Sequence, residues 1–253
     1  MLLILMYHRA AAAELGLGNP PEVLDAHFAA LRARANIVLP GEPLPAGRLN
    51  ICLTFDDAYA DFYFQAFPLL KKHGLRAVLG VPTAYILENT EVSRQIRLAV
   101  PQGEAMQGET YREKAAFCTW EEMREMQAAG NVRMASHSHH HPDMCRADTD
   151  VDFQCAHAKE LLEKNLGRPV DAFIYPYGSV NARAHRAVSR HYQYGMRVGA
   201  ALNRTWRPRH QPLSRVGADN LADIAPLLGT PRLVGFGLKW LGNSLRAATG
   251  KWR

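Results

Sequence analysis

Cysteine is scarce in this chain and poorly spaced for any structural use. Cys52, Cys118, Cys145 and Cys155 are its four cysteines. None forms a Cys-x-x-Cys pair, which excludes a zinc knuckle and a disulfide framework. No apolar run reaches the length of a membrane span. The opening Met1-Leu2-Leu3-Ile4-Leu5-Met6 lacks a basic leader, and Tyr7-His8-Arg9 cuts it short of a signal core, so a cytoplasmic location is expected. Internal repeats and low-complexity segments are missing. So is a strong charge surplus: 30 Lys and Arg against 24 Asp and Glu leave +6, a mild preference for anionic partners. No recognised binding module accompanies that charge, so nucleic acid is not an expected partner.

What is present is an ordinary globular composition, 47% hydrophobic and 21% charged over 253 residues, a length that suits one large domain or a barrel. Apolar runs at 2–7, 50–55, 76–82, 132–136, 171–175, 193–201 and 213–217 predict strands. Between them lie helical patterns. Pro20-Pro21 opens one in which Leu24, Phe28 and Leu31 recur at helix spacing. A second spans 59–73 and stops at Gly74. Thr119-Trp120-Glu121-Glu122 has capping-box spacing and starts a third, ending near Gly130. A fourth runs from Asp150 to Leu166, with Gly167 as its stop and Glu160 and Lys164 as an i,i+4 pair. An Arg-rich helix ends at Arg190. Residues 40–47 form a Pro/Gly-rich loop, and 88–116 read as a polar, irregular insertion over one face. Strands alternating with helices imply an α/β fold, a parallel sheet with right-handed crossovers. Seven such units form an open or incompletely closed barrel.

Chemistry gathers at the strand ends. The run Leu53-Thr54-Phe55 stops on Asp56 and Asp57, two carboxylates too close to stay ionised together without a cation or a proton between them. The strand at 132–136 leads into His137-Ser138-His139-His140-His141. His8 and Tyr177 also lie just past predicted strands, the end at which α/β barrels carry their active sites. A His-x-x-x-His spacing sets two imidazoles on one side of a tight turn, and with one carboxylate they leave positions open on a divalent metal, as catalytic sites do. Such a metal lowers the pKa of water toward about 7, and the second carboxylate is free to act as its base. Non-haem iron oxygenases share the two-His, one-carboxylate set, but the adjacent second carboxylate fits hydrolysis better. His139 and His140 are read as a solvated loop.

At these residues the chain resembles the metal-dependent polysaccharide deacetylases of the chitooligosaccharide-deacetylase superfamily. Thr54-Phe55-Asp56-Asp57 matches the first motif of that family, His137-Ser138-His139-His140-His141 the second, and Phe173-Ile174-Tyr175-Pro176-Tyr177-Gly178 the third. The resemblance implies a single domain, a distorted seven-stranded (β/α) barrel, here over 1–231. It makes Asp56 the general base, and Asp57, His137 and His141 the ligands of a divalent ion. Zinc is the first choice for that ion, with cobalt, nickel, manganese or iron as alternatives. The backbone N–H of Tyr177 becomes an oxyanion donor. Two departures stand out. Many members carry Arg two residues before the proline of the third motif, where this chain has Ile174; Arg215 is the candidate to supply that charge. The late Leu-x-x-His motif that brings the general acid is not evident, and His8 and His210 are the candidates by position. His8 and Arg215 are assigned to the substrate side of the site.

The expected activity is removal of an acetyl group from an N-acetylated amino sugar. The substrate is expected to be a lipid- or nucleotide-linked precursor of a surface polysaccharide or lipopolysaccharide. Deacetylation of free oligosaccharides and a catalytically silent carbohydrate-binding barrel are the alternatives. The basic segment Arg204-Thr205-Trp206-Arg207-Pro208-Arg209-His210 would hold a carrier phosphate if it folded over the active-site face. The tail, 232–253, is basic and amphipathic. Val234, Leu238, Leu241, Leu245 and Ala248 share one helical face, with Arg232, Lys239 and Arg246 roughly opposite and Trp240 between. It is matched against two roles: docking on the barrel, or lying on an anionic membrane surface at the inner face of the membrane.

Overall fold

The computed structural model describes residues 1–207 and 211–248, with the side chains of the last helix described as far as Asn243. Its strands are β1 (Leu2–Tyr7), β2 (Ala35–Ile37), β3 (Leu49–Phe55), β4 (Ala77–Val81), β5 (Val132–Ser136), β6 (Ala172–Ile174), β7 (Tyr194–Val198) and β8 (Leu213–Gly217). Every pairing is parallel. β1 pairs with both β3 and β8, which closes seven strands into a ring rather than leaving it open. β2, which has no counterpart among the predicted strands, lies along the start of β3. Pairing round the ring is uneven. β1 and β3 match over six residues, β1 and β8 over two, and β5 and β6 meet only at Ser136 and Phe173. That unevenness is the distortion of the barrel.

Period-two alternation sorts the strand residues into two cores. Leu2, Ile4, Cys52, Val78, Ala135, Ala172, Ile174, Met196 and Leu213 fill the barrel interior. Leu3, Leu5, Tyr7, Ile51, Leu53, Phe55, Leu79 and Phe173 face the surrounding helices. All four cysteines are free thiols.

The outer layer begins with α1 (Pro21–Arg34), started by Pro21 in its first turn. Where one helix was predicted over 59–73, a wide π-type turn at Phe62–Ala66 runs into α2 (Phe67–His73), stopped by Gly74 in the left-handed conformation. The insertion is not irregular throughout: it carries α3 (Arg94–Leu98), α4 (Gln102–Ala105) and α5 (Thr110–Glu113). Buried Arg97 ties it to Glu122 at 2.6 Å. α6 (Trp120–Ala128) has both halves of the Thr119–Glu122 capping box. α7 (Val151–Leu166) is capped by Asp150 and ends on left-handed Gly167. On α7 the predicted Glu160–Lys164 pair gives way to His157–Glu160 at 3.7 Å and Lys159–Glu163 at 3.1 Å. α8 (Ala182–His191) and the short α9 (Ala225–Leu228) follow.

α10 (Thr230–Ala248) starts two residues before the predicted tail. It packs through Phe236 and Leu233, and Asn243 donates to the Gly199 carbonyl at 3.4 Å. Val234, Leu238 and Leu241 face outward; the side chains of Leu245, Arg246 and Ala248 lie outside the described residues. The described part of the basic segment, Arg204–Arg207, lies elsewhere than over the site, and 208–210 fall outside the described residues. Trp206 joins the interior cluster with Leu2 and Tyr194, the first residues of β1 and β7, and donates to the Glu42 carbonyl at 2.8 Å. Arg204–Arg207 therefore stand at the opposite end of the barrel from the strand ends that carry the motifs. His210 lies outside the described residues.

Candidate active site

At the carboxyl ends of the strands, a cavity of about 360 Å³ is lined by residues from seven separate segments, including His8, Asp56, Asp57, His137, His141, Tyr177 and Arg215. All seven residues singled out in the sequence therefore share one cavity. The loops that carry them are strained. Asp57, Ala58, Ser138, His141 and Tyr177 all have φ between 55° and 68°, a region that non-glycine residues occupy at a cost of order 1–3 kcal/mol each. Strain of this kind persists where the surrounding structure over-determines a side-chain direction. Here it turns both halves of the aspartate and histidine motifs inward.

Asp57, His137 and His141 converge on one point. Asp57 Oδ1 lies 3.4 Å from His137 Nε2 and 3.2 Å from His141 Nε2, and the two Nε2 atoms are 3.1 Å apart. Nδ1 of His137 is 2.8 Å from the Ile174 carbonyl. A carbonyl only accepts, so Nδ1 carries the proton and Nε2 presents its lone pair to the cluster. Asp57 Oδ1 is buried without a hydrogen-bond partner, and a buried orphan acceptor of this kind calls for a cation. Burial raises the Asp57 pKa, and protonated imidazoles at His137 and His141 would more than reverse it, holding the carboxyl well below its usual range. With the Nε2 lone pairs turned inward, a bound cation would act in the same direction. Two imidazole lone pairs and one ionised carboxylate oxygen fit a divalent metal.

Asp56, one residue away, has different neighbours. Arg215, fully buried on β8, donates from Nη1 to Asp56 Oδ1 at 2.6 Å and from Nη2 to Oδ2 at 2.8 Å. Nη1 also reaches Thr54 Oγ1 at 3.0 Å. Burial pushes the Asp56 pKa up, and Arg215 more than reverses it, so the carboxylate stays ionised. Ile174 points into the apolar interior, against Gly80, where an added Cβ would stand 3.0 Å from Ile174 Cδ1. The charge missing at Ile174 thus enters from β8.

His8 completes the group. Its Nδ1 lies 2.6 Å from Asp219 Oδ2, and its backbone N–H donates to Asp219 Oδ1 at 2.9 Å. Its Nε2 faces Asp56 Oδ2 at 3.8 Å. Burial lowers the pKa of His8, but Asp219, Asp56 and Asp57 together raise it to about 9, so at neutral pH it is an imidazolium. Asp219 was not singled out in the sequence. Its signal was positional: it lies two residues past β8, where the other functional groups also sit past their strands. Tyr177 occupies a left-handed bend with φ 58°, and its N–H has no backbone partner among the described residues. His139 and His140 turn away from the cluster, toward Thr83 and Gln154.

Fold and site together define a parallel (β/α) barrel with a carboxylate–imidazole cluster of the kind that can hold a metal ion, and a second, ionised carboxylate beside it. The polysaccharide deacetylase family model matches residues 45–197, and the chain belongs to that family. It is 25% identical over 172 residues to the poly-beta-1,6-N-acetyl-D-glucosamine N-deacetylase of Escherichia coli O157:H7, a match covering 57% of this chain and 24% of that protein. The chain thus spans about a quarter of that relative. Among solved structures, IcaB from Ammonifex degensii superposes with a TM-score of 0.70 at 18% identity, covering 92% of this chain and 97% of that one. The Streptococcus pyogenes deacetylase PplD, in complex with acetate, superposes with a TM-score of 0.69 at 23% identity, covering 93% and 97%.

Proposed function

We propose that this protein hydrolyses the N-acetyl amide of an amino sugar destined for a surface polysaccharide or lipopolysaccharide. The observation that carries the reading is the division of labour between adjacent carboxylates, Asp57 with two imidazoles and Asp56 with Arg215. We assign Asp57, His137 and His141 to a divalent ion, zinc by its preference for nitrogen and carboxylate donors. When bound, that ion supplies a Lewis acid for the carbonyl and lowers the pKa of water toward about 7.

The chain's own groups do the rest. Ionised Asp56 takes the proton of the attacking water, and Arg215 keeps it ionised and oriented. The Tyr177 N–H donates to the developing oxyanion. The His8 imidazolium protonates the departing amine, with Asp219 accepting from Nδ1 and fixing the direction of the ring. Acetate and a free amino sugar result. The alternative of a silent sugar-binding barrel drew on Ile174 and on the missing acid motif; Arg215 and the His8–Asp219 pair remove both grounds. Free oligosaccharides and carrier-linked precursors share the same scissile amide. A lipid- or nucleotide-linked substrate would keep its phosphate outside the cavity, whose cationic lining besides histidine is Arg215, already committed to Asp56.

The tail is assigned an anionic membrane surface, on the strength of an outward-facing stripe of Val234, Leu238 and Leu241 on a helix that also exposes Arg232 and Lys239, on its other side. The activity is tested by incubating metal-loaded protein with N-acetylglucosamine oligomers and measuring acetate. Release by the wild type and its loss in Asp56→Asn support the reading; equal release by both would refute the assignment of Asp56.

A further inference from the structure

Carbohydrate rings expose C–H groups on their faces and hydroxyls at their edges, so a sugar site needs apolar walls with a few polar groups between them. Nine large apolar side chains are exposed among the described residues. Three of them, Leu17 (47% exposed), Tyr177 (70%) and Val198 (41%), line this one cavity. The mechanism above uses only the backbone of Tyr177 and neither of the other two. Leu17 belongs to the loop after β1, whereas Tyr177 follows β6, three strands away round the ring, and Val198 ends β7.

Leu17 is not on a loose loop. Its N–H donates to Gln102 Oε1 at 2.8 Å. At Gly16, with φ +130°, an added Cβ would lie 2.4 Å from that same oxygen, so only glycine lets Gln102 approach. Gly18 is pinned on the other side: an added Cβ there would lie 2.6 Å from the Arg9 carbonyl, and Asn220 N–H donates to the Gly18 carbonyl at 3.0 Å. Buried Arg9 anchors the base of the loop, donating to the Leu15 carbonyl and, at 2.7 Å, to the Val100 carbonyl of the insertion. A leucine held this firmly yet left half in water is presented to something. Gln102 also lines the cavity. With its oxygen engaged by Leu17, its NH₂ remains a donor.

We propose that Leu17, set in place by Gln102, and Tyr177 with Val198 form an apolar clamp on the two faces of an amino-sugar ring, and that the Gln102 NH₂ donates to a hydroxyl at its edge. The insertion at 88–116 is then a specificity element, and the substrate is held as a glycan ring rather than by a carrier phosphate. This proposal rests on the N-deacetylase reading above. Leu17→Ser and Gln102→Ala alter exposed or half-exposed side chains and leave the Asp56, Asp57 and His8 groups untouched.

With an N-acetylglucosamine oligomer as substrate, Leu17→Ser is expected to raise KM about tenfold, the loss of one buried aliphatic contact, and to change kcat far less. Leu17→Met should restore KM to near the wild-type value. Calorimetric binding of the same oligomer to zinc-loaded Asp56→Asn protein, which binds without consuming it, should weaken by the same factor when Leu17→Ser is added. A uridine-diphosphate-linked N-acetylglucosamine should bind no more tightly than the free sugar. Wild-type turnover with unchanged KM and affinity in Leu17→Ser and Gln102→Ala overturns the clamp and leaves the N-deacetylase reading standing. Tighter binding of the nucleotide sugar also overturns it. A wild type that neither binds nor deacetylates the oligomer overturns both.

Discussion

Asp56 and Asp57 are chemically identical side chains one residue apart, and their neighbours alone separate the roles proposed for them. The Asp56→Asn variant should keep its metal and lose kcat by roughly 100- to 10,000-fold, because an amide cannot accept the proton; metal content and turnover measured on one preparation check this. Arg215 keeps Asp56 ionised, so Arg215→Met should raise the Asp56 pKa and move the acid limb of the pH–rate profile to higher pH. Removing one partner of a buried pair should also cost about 3–5 kcal/mol of stability. An unmoved acid limb would detach Arg215 from the base. His8 titrates in the opposite sense. Its folded pKa, about 9, lies above the ordinary value near 6.5, so its contribution to stability is complete below about pH 6.5 and lost as pH rises through 9. That contribution is on the order of 3 kcal/mol. In Asp219→Asn the His8 pKa should fall, shrinking the stability loss between pH 6.5 and 9 and moving the basic limb of activity to lower pH. Identical profiles for the two proteins would remove Asp219 from the site. Of these residues, Asp56, Asp57, His137 and His141 were legible because short-range motifs carry them. Arg215 and Asp219 were harder, since their partners lie 159 and 211 residues away along the chain.

Elements announced by local chemistry were readable. The Thr119–Glu122 capping box starts α6, and Thr119→Ala should cost about 1 kcal/mol of unfolding free energy in denaturant titration. Gly74 and Gly167 stop their helices as left-handed caps. Elements without such signals were missed. β2 is three residues long and follows α1 with no turn between. The helices of the insertion span four or five residues, too few for a period to show. In α10 the helical wheel correctly groups Val234, Leu238 and Leu241, but a wheel cannot say which face meets the barrel; Leu233 and Phe236 take that place. The exposed stripe makes a direct prediction. Full-length protein should sediment with anionic phosphatidylglycerol vesicles at low salt, and a Val234→Ser, Leu238→Ser, Leu241→Ser variant should stay in the supernatant. Equal sedimentation of both, or of neither, would take the tail out of the membrane assignment.

On the scale of the whole molecule, the alternation of strands and helices predicted a parallel barrel, and the recurrence of candidate site residues just past predicted strands pointed to the end where they share a cavity. Closure of the ring was not legible, because it depends on β1 finding both β3 and β8. Nor was the fate of the basic segment, whose Trp206 plugs the far end of the barrel. What closure achieves is convergence. Side chains from the two ends of the chain, His8 and Asp219, meet the central motifs over one cavity. The central claim is that this cavity performs metal-assisted N-deacetylation through Asp57, His137 and His141. The direct measurement is a zinc titration of chelator-treated protein with acetate release from an N-acetylglucosamine oligomer as readout. The account predicts no release before zinc, recovery that saturates at one equivalent, and no recovery at that level in Asp57→Ala. Undiminished release by the chelated wild type, or full recovery of Asp57→Ala at one equivalent, would contradict it.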